Sequence, residues 1–467
     1  DVPMAYYNLW YSHKHNPFKE PEPLSPDTVR QWKRVCETEI AKRGLLFHDM
    51  GHGWTGESFG IDTKGGWNAE TRTYPEDVMQ YVAMVDGKRS LFGGVPLNTN
   101  FCMSNPDARG KVVQYVADYA ESHQNDDFLH IWLADGTNNH CECPACAEKT
   151  TSDWYIILLN EIDAELTRRN LDTRLVFIAY HDLSWAPETE RLRNEKRFTL
   201  LFAPITRTYT QSYAVEADAD AIQPNVRNHL VSPHGMRAAL AYLEAWQKVF
   251  SGDCFVYEYH FWTPICRDPG MMALSRCVAA DIQGMGRHRL RGSIEDQTQR
   301  FGFPTGFPIW LYGMLLFDPS LDYEALRRDY FSHAYGRDWE RAAAYLEKVS
   351  DMFDFAYLLG DRGGFLCPEH RKDFDGADAL FTDMEAYARQ HIVSDRRAES
   401  VSWQMLVHHA RYCRILARCC AERCVGNMEP ARAAMEELRL AMARDEDALQ
   451  RYFDLGLYCN RMQPFIQ

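Results

Sequence analysis

Carboxylates stand at the ends of several short apolar runs in this chain. Asp135 closes Phe128–Asp135 (FLHIWLAD), Glu258 lies in Cys254–His260 (CFVYEYH), and Glu295 with Asp296 closes Arg289–Asp296 (RLRGSIED). Acids are rarely buried without a reason. Any one of them could pair with an arginine such as Arg207 or Arg291, but four together at strand ends favour catalysis. Glycoside hydrolysis is the chemistry that needs such a set: one carboxyl protonated to donate to the leaving oxygen, another ionised as nucleophile, base or orienter. Glu295 and Asp296 are neighbours, so within a strand they face opposite sides and only one of them meets a substrate. Polar and aromatic residues follow the same runs: His48, Asp49 and His52; Tyr180 and His181; Arg207 and Tyr209; Tyr259, His260 and Trp262. Sugar hydroxyls take polar partners and sugar faces take flat rings, so this set is expected to bind substrate.

The sharpest local motif is His140-Cys141-Glu142-Cys143-Pro144-Ala145-Cys146. Three thiols this close can wrap one tetrahedral zinc ion, with Cys102 as the fourth ligand or His140 as the alternative. Four thiolates leave no open position, so the expected role of Cys102, Cys141, Cys143 and Cys146 is a structural zinc site, with no cofactor needed for catalysis.

Eight apolar runs position these residues: Ala5–Trp10, Gly44–Asp49, Asn100–Ser104, Phe128–Asp135, Arg174–Tyr180, Phe198–Ile205, Cys254–His260 and Arg289–Asp296. Helical patterns lie between them. Ser25 and Pro26 open the first, with Val29, Trp32, Val35 and Ile40 as its apolar face. Trp154, Leu158, Ile162 and Leu166 mark another, and Arg237–Phe250 and Met271–Ile282 read alike. Strands alternating with helices predict an α/β fold, a (β/α)8 TIM barrel over residues 1–318 with its active site at the carboxyl ends of the strands. Beyond Asp318-Pro319 the pattern is helical, which predicts a helical domain over 319–467.

Composition narrows the function classes. A 467-residue chain that is 46% hydrophobic and 25% charged buries a large core. A net charge of -15 disfavours nucleic acid or an anionic membrane surface as partner. No apolar run is long enough to predict membrane insertion. Fourteen irregularly spaced Cys point to a reducing, cytoplasmic setting rather than a disulfide framework.

The order of motifs also resembles a known family. Asp86-Gly87-Lys88-Arg89, then Phe101-Cys102-Met103-Ser104-Asn105-Pro106, then Asp135-Gly136 with the cysteine cluster, then Tyr257-Glu258-Tyr259, then Gly292-Ser293-Ile294-Glu295, is similar to glycoside hydrolase family 163 over roughly Tyr81–Gly336. The resemblance implies a (β/α)8 barrel and a retaining hydrolase that cleaves β-linked N-acetylhexosamine. The substrate's own acetamido oxygen would be the nucleophile, Glu295 or Glu258 the acid/base, and Asp135 or Asp296 the residue that orients the acetamido group. The chain departs from the family pattern at Ala134, where Asn is more usual, and at Asp296-Gln297, where Gln-Gly is. Two other readings fit the same residues: a two-carboxylate glycosidase for uronic or neutral sugars, and a non-catalytic carbohydrate-binding barrel.

Overall fold

The structure, a computed structural model, describes residues 2–4, 15–21, 24–298, 300 and 302–467. Among these residues seven parallel strands form one sheet in chain order: β1 Val2–Met4, β2 Phe47–Asp49, β3 Phe128–His130, β4 Arg174–Ala179, β5 Phe198–Phe202, β6 Asp253–Glu258 and β7 Ser293–Glu295. The sheet curls, because the Phe255 ring on β6 lies 5.8 Å from His48 on β2 and 6.2 Å from His130 on β3. Long helices cross over between strands, among them Pro26–Lys42, Pro106–Ser122, Thr151–Arg168, Met236–Val249 and Met272–Met285. Apolar residues dominate the strands, as they must where both faces of a parallel sheet are covered.

Among the described residues the sheet does not close into an eight-stranded barrel. Among the described residues β1 and β7 do not pair, and the run predicted at Ala5–Trp10 lies outside the described residues. The run Asn100–Ser104 is not a strand of the sheet, and β2 pairs directly with β3. Its backbone bonds go elsewhere: Cys102 N–H donates to Tyr81 carbonyl at 2.7 Å, Ala83 N–H donates to Asn100 carbonyl at 2.9 Å, and Val82 bridges Phe101 antiparallel.

The first helix also differs from its expected face. Ser25 caps it as expected, accepting from Thr28 N–H. Trp32 and Val35, however, point to solvent, and the buried face is Val29, Lys33, Glu37 and Ile40. Lys33 sits between Glu37 and Asp49, so ion pairing replaces apolar contact there.

After β7 every regular element among the described residues is helical, from Phe307–Phe317 to Leu455–Met462. These helices share one continuous core with the sheet and its crossovers. Gly270 marks how close they pack: a Cβ there would collide with the Leu346 carbonyl and the Ser350 backbone on helix Trp339–Phe353.

A candidate active site at the mouth of the sheet

Strand alternation sorts the acids into two groups. On β6, Phe255 and Tyr257 face inward, Tyr257 meeting the Trp132 ring edge-on at 5.6 Å. Glu258 falls on the opposite face, among the helices. It is fully buried, ion-paired to Arg207 at 2.7 Å, and accepts from the hydroxyls of Tyr209 at 3.1 Å and Tyr213. Arg207 continues to Asp281 on the helix Met272–Met285 at 2.8 Å. His260 is equally buried and bridges Asp281 at 2.7 Å to Glu295 at 2.9 Å. Two cations, Arg207 and His260, thus face three carboxyls, Glu258, Asp281 and Glu295.

That charge balance explains the protonation states. Burial opposes the His260 imidazolium, but Glu295 and Asp281 overcome it and hold its pKa well above the ordinary value. Burial pushes the Glu295 carboxyl up to about 7, with His260 opposing and Glu258 adding to the rise. When Glu295 holds a proton the cluster is neutral, which a buried site favours.

The second group meets at the mouth. Asp135, beyond the end of β3, accepts from the Trp67 indole N–H at 2.7 Å, the Tyr180 hydroxyl at 3.0 Å and the Gly136 N–H at 2.8 Å. Burial works against its charge, yet His52 at 3.9 Å and these three donors hold its carboxyl below the usual range. Asp296, just past β7, shows the opposite. Burial raises its carboxyl to about 6, the nearby Arg461 guanidinium opposing and the Asp135 charge adding to the rise. Among the described residues nothing hydrogen-bonds the Asp296 carboxyl, whose backbone N–H is fixed on the Glu258 carbonyl at 2.7 Å. Rings line this mouth in sequence: His52 against Trp132 at 5.1 Å, Trp132 against Tyr257, Tyr257 against Tyr259 at 5.2 Å, and Tyr259 against Trp262 at 5.9 Å. Arg461, from the last helices, covers Trp262 at 3.9 Å.

The expected site residues therefore separate. Asp135, Asp296, His52, Tyr180, His181, Tyr259 and Trp262 gather at the mouth. Glu258, Arg207, Tyr209 and His260, expected as catalytic or substrate-binding residues, lie instead in the buried cluster, where their polar groups pair with one another and with Asp281 and Glu295. Glu295 also turns towards that cluster, its side chain only 4% exposed. His48 lies deeper, buried between strands with Nδ1 3.0 Å from His130 Nε2, and burial lowers its pKa to about 4. The sequence reading missed Trp67, Tyr257, Asp281 and Arg461. Asp281 carried a signal, an acid on a helix face otherwise made by Val278, Ile282 and Met285.

An apolar cavity of about 60 Å³ lies elsewhere, between the loops that follow β6 and β7 and the C-terminal helices, lined by Ile265, Phe303, His409 and Leu438. Asp454 is the single acid among its described lining residues, so it offers no carboxyl pair.

The four cysteines converge on the far side of the Asp135 loop. Their sulfurs all lie within 4.8 Å of one another, with Cys102 3.6 Å from Cys143 and 3.8 Å from Cys146. His140 turns away, its Nε2 3.5 Å from Asp182.

Among solved structures, a GH138 enzyme targeting pectin rhamnogalacturonan II is similar at 9% identity and a TM-score of 0.41, over 77% of this chain and 60% of that one. The chain thus spans about 60% of that enzyme's length. A point mutant of Thermobaculum terrenum O-GlcNAc hydrolase is similar at 10% identity and a TM-score of 0.39, over 96% of this chain and 92% of that one. No curated protein matches. Residues 26–351, which hold both the mouth carboxyls and the cysteine cluster, match a family described as a domain of unknown function, and the chain belongs to that family, DUF4838.

Proposed function

We propose that this protein is a retaining glycoside hydrolase that cleaves β-linked N-acetylhexosamine by substrate-assisted catalysis. The reading rests chiefly on one arrangement: Asp135 and Asp296 lie beyond the ends of β3 and β7, near enough for the Asp135 charge to act on Asp296, and their surroundings differ, since Trp67, Tyr180 and the Gly136 N–H donate to Asp135 while burial without a hydrogen-bond donor among the described residues favours the protonated Asp296 carboxyl. Two titratable groups separated in this way take the acid and base roles of a reaction. The resemblance to glycoside hydrolase family 163 supports the same sugar.

Asp296 is then the proton donor to the glycosidic oxygen, in place of Glu295 or Glu258. As the bond to the leaving group breaks, the substrate's acetamido oxygen attacks the anomeric carbon from the opposite face and forms an oxazolinium ring. Asp135 accepts the acetamido N–H, orients that oxygen and stabilises the positive charge. Ionised Asp296 next takes a proton from water as the water opens the ring, returning the enzyme to its starting state with configuration retained. Tyr180 and Trp67 hold the Asp135 oxygens, the buried rings of Trp132, Tyr257 and Tyr259 back the site, and exposed Trp67 and the partly exposed Trp262 are the rings within reach of a sugar.

The test is turnover of aryl β-glycosides with and without the 2-acetamido group by wild type, Asp135→Asn and Asp296→Asn. The proposal expects cleavage of 2-acetamido substrates alone and a fall in kcat on the order of 10² or more in each variant. Equal cleavage of uronic or neutral sugars would favour the two-carboxylate alternative. Sugar binding without turnover would favour the binding barrel.

A further inference from the structure

We infer that Cys102, Cys141, Cys143 and Cys146 form a structural zinc site that takes the place of the missing barrel strand and fixes the loop carrying Asp135. The geometry fits the ion. Zinc–thiolate bonds of about 2.3 Å in a tetrahedron set neighbouring sulfurs about 3.8 Å apart. Cys102 lies 3.6 and 3.8 Å from two of its partners. Those separations are far longer than a disulfide bond of about 2.05 Å. Cys102, Cys141 and Cys146 are buried, and Cys143 is half-buried. The backbone N–H of Met84 donates to Cys141 Sγ and that of Ser104 to Cys146 Sγ, each at 3.3 Å. Such donors stabilise thiolate charge, as does the Arg89 guanidinium 3.9 Å from Cys102.

The position of the site gives it a further task. Cys102 belongs to the segment that the sheet leaves out, and the other three follow Asp135 in the next loop. Two residues before Cys102, Asn100 accepts from Ala134 N–H at 3.1 Å and donates to Asn139 at 2.9 Å. Asn139, two residues before Cys141, donates to the carbonyls of Asp135 at 2.7 Å and Asn98 at 2.9 Å. Asp135 N–H in turn donates to the Leu97 carbonyl at 2.9 Å. Side-chain amides thus do the work of a strand ladder, and a metal tying Cys102 to Cys141, Cys143 and Cys146 holds both sides of that ladder in register.

The metal site stands apart from the proposed reaction; its consequence for Asp135 rests on it. The experiment therefore reads metal first. Protein purified without chelator should carry about one zinc per chain, and cobalt(II) exchanged into it should show the intense visible bands of a tetrahedral thiolate site. Cys143→Ser should lose metal and should lose hydrogen-exchange protection in residues 96–105 and 133–147 ahead of β4 and β5. Wild type stripped with a strong chelator provides the same comparison if that variant does not fold. Absence of zinc, iron in its place, or a disulfide among the four by intact mass overturns the assignment. Metal loss that leaves exchange in 133–147 unchanged overturns the link to Asp135. If the metal results hold while no 2-acetamido glycoside is cleaved by the loaded enzyme, the proposed reaction fails and the zinc site stands.

Discussion

Glu258→Gln separates a buried ion-pair partner from a catalytic acid. Glu258 is sealed from solvent and is held by Arg207, Tyr209 and Tyr213. Removing one partner of a buried ion pair costs about 3–5 kcal/mol, because the other charge stays buried. An unfolding entropy of about 2.1 cal/mol/K per residue gives about 1 kcal/mol/K for a 467-residue chain, so the expected fall in Tm is about 3–5 °C. The loss should also depend on pH. Below the Glu295 pKa of about 7 the natural cluster is neutral; in the variant the loss of the Glu258 charge lowers that pKa, so Glu295 takes its proton only at lower pH and the cluster then carries one excess positive charge. Above it the natural cluster carries one excess negative charge, and the variant, with Glu295 ionised, is balanced. Destabilisation should therefore be larger at pH 5 than at pH 8. Calorimetry at both pH values, with turnover measured on the folded protein, checks this. An unchanged Tm at both pH values together with a collapse of kcat would refute the placement of Glu258 and return it to the mouth.

Other perturbations address the mouth and the packing. The pH profile of kcat/KM should fall as pH rises through about 6, where Asp296 loses its proton, and should persist on the acid side below the usual carboxylate range, where Asp135 stays ionised. Asp296→Asn should abolish the upper limb and retain more activity on substrates with activated leaving groups, which need no proton; an unmoved upper limb counts against Asp296. Trp67→Phe removes a donor from Asp135, so the acid limb should move upward in pH, and a fixed limb would contradict the role of that bond. Gly270→Ala should lower stability by about 1–3 kcal/mol or more, read by thermal unfolding, since the added methyl has no space beside Leu346 and Ser350.

Much of this arrangement was legible from residue types and spacing. Asp135, Asp296 and the cysteine set were visible because acids at strand ends and closely spaced thiols are rare without a task. The side each carboxyl faces was not. In CFVYEYH both faces are buried, so hydropathy does not distinguish inward Tyr257 from outward Glu258, and register alone decides. The run Asn100–Ser104 misled for a related reason: Phe101, Cys102 and Met103 are buried, but against Tyr81–Ala83 and the cysteine loop rather than in the sheet. Trp67 and Arg461 come from a Gly-rich loop and the last helix, and only the tertiary fold brings them to residues so distant in sequence. Lys33 and Glu37 broke the expected apolar stripe of the first helix because a buried acid, Asp49, waits opposite.

The central claim, that the substrate's acetamido group supplies the nucleophile at a mouth built by Asp135 and Asp296, is tested most directly with a thiazoline mimic of the oxazolinium ion. The account predicts that the mimic inhibits at least about 10²-fold more tightly than the parent N-acetylhexosamine, since a site complementary to the intermediate binds it better than the ground state. It predicts also that this advantage is lost in Asp135→Asn. Equal inhibition by mimic and parent sugar, together with an intact-mass adduct of a 2-fluoro glycoside on Asp135, would contradict it.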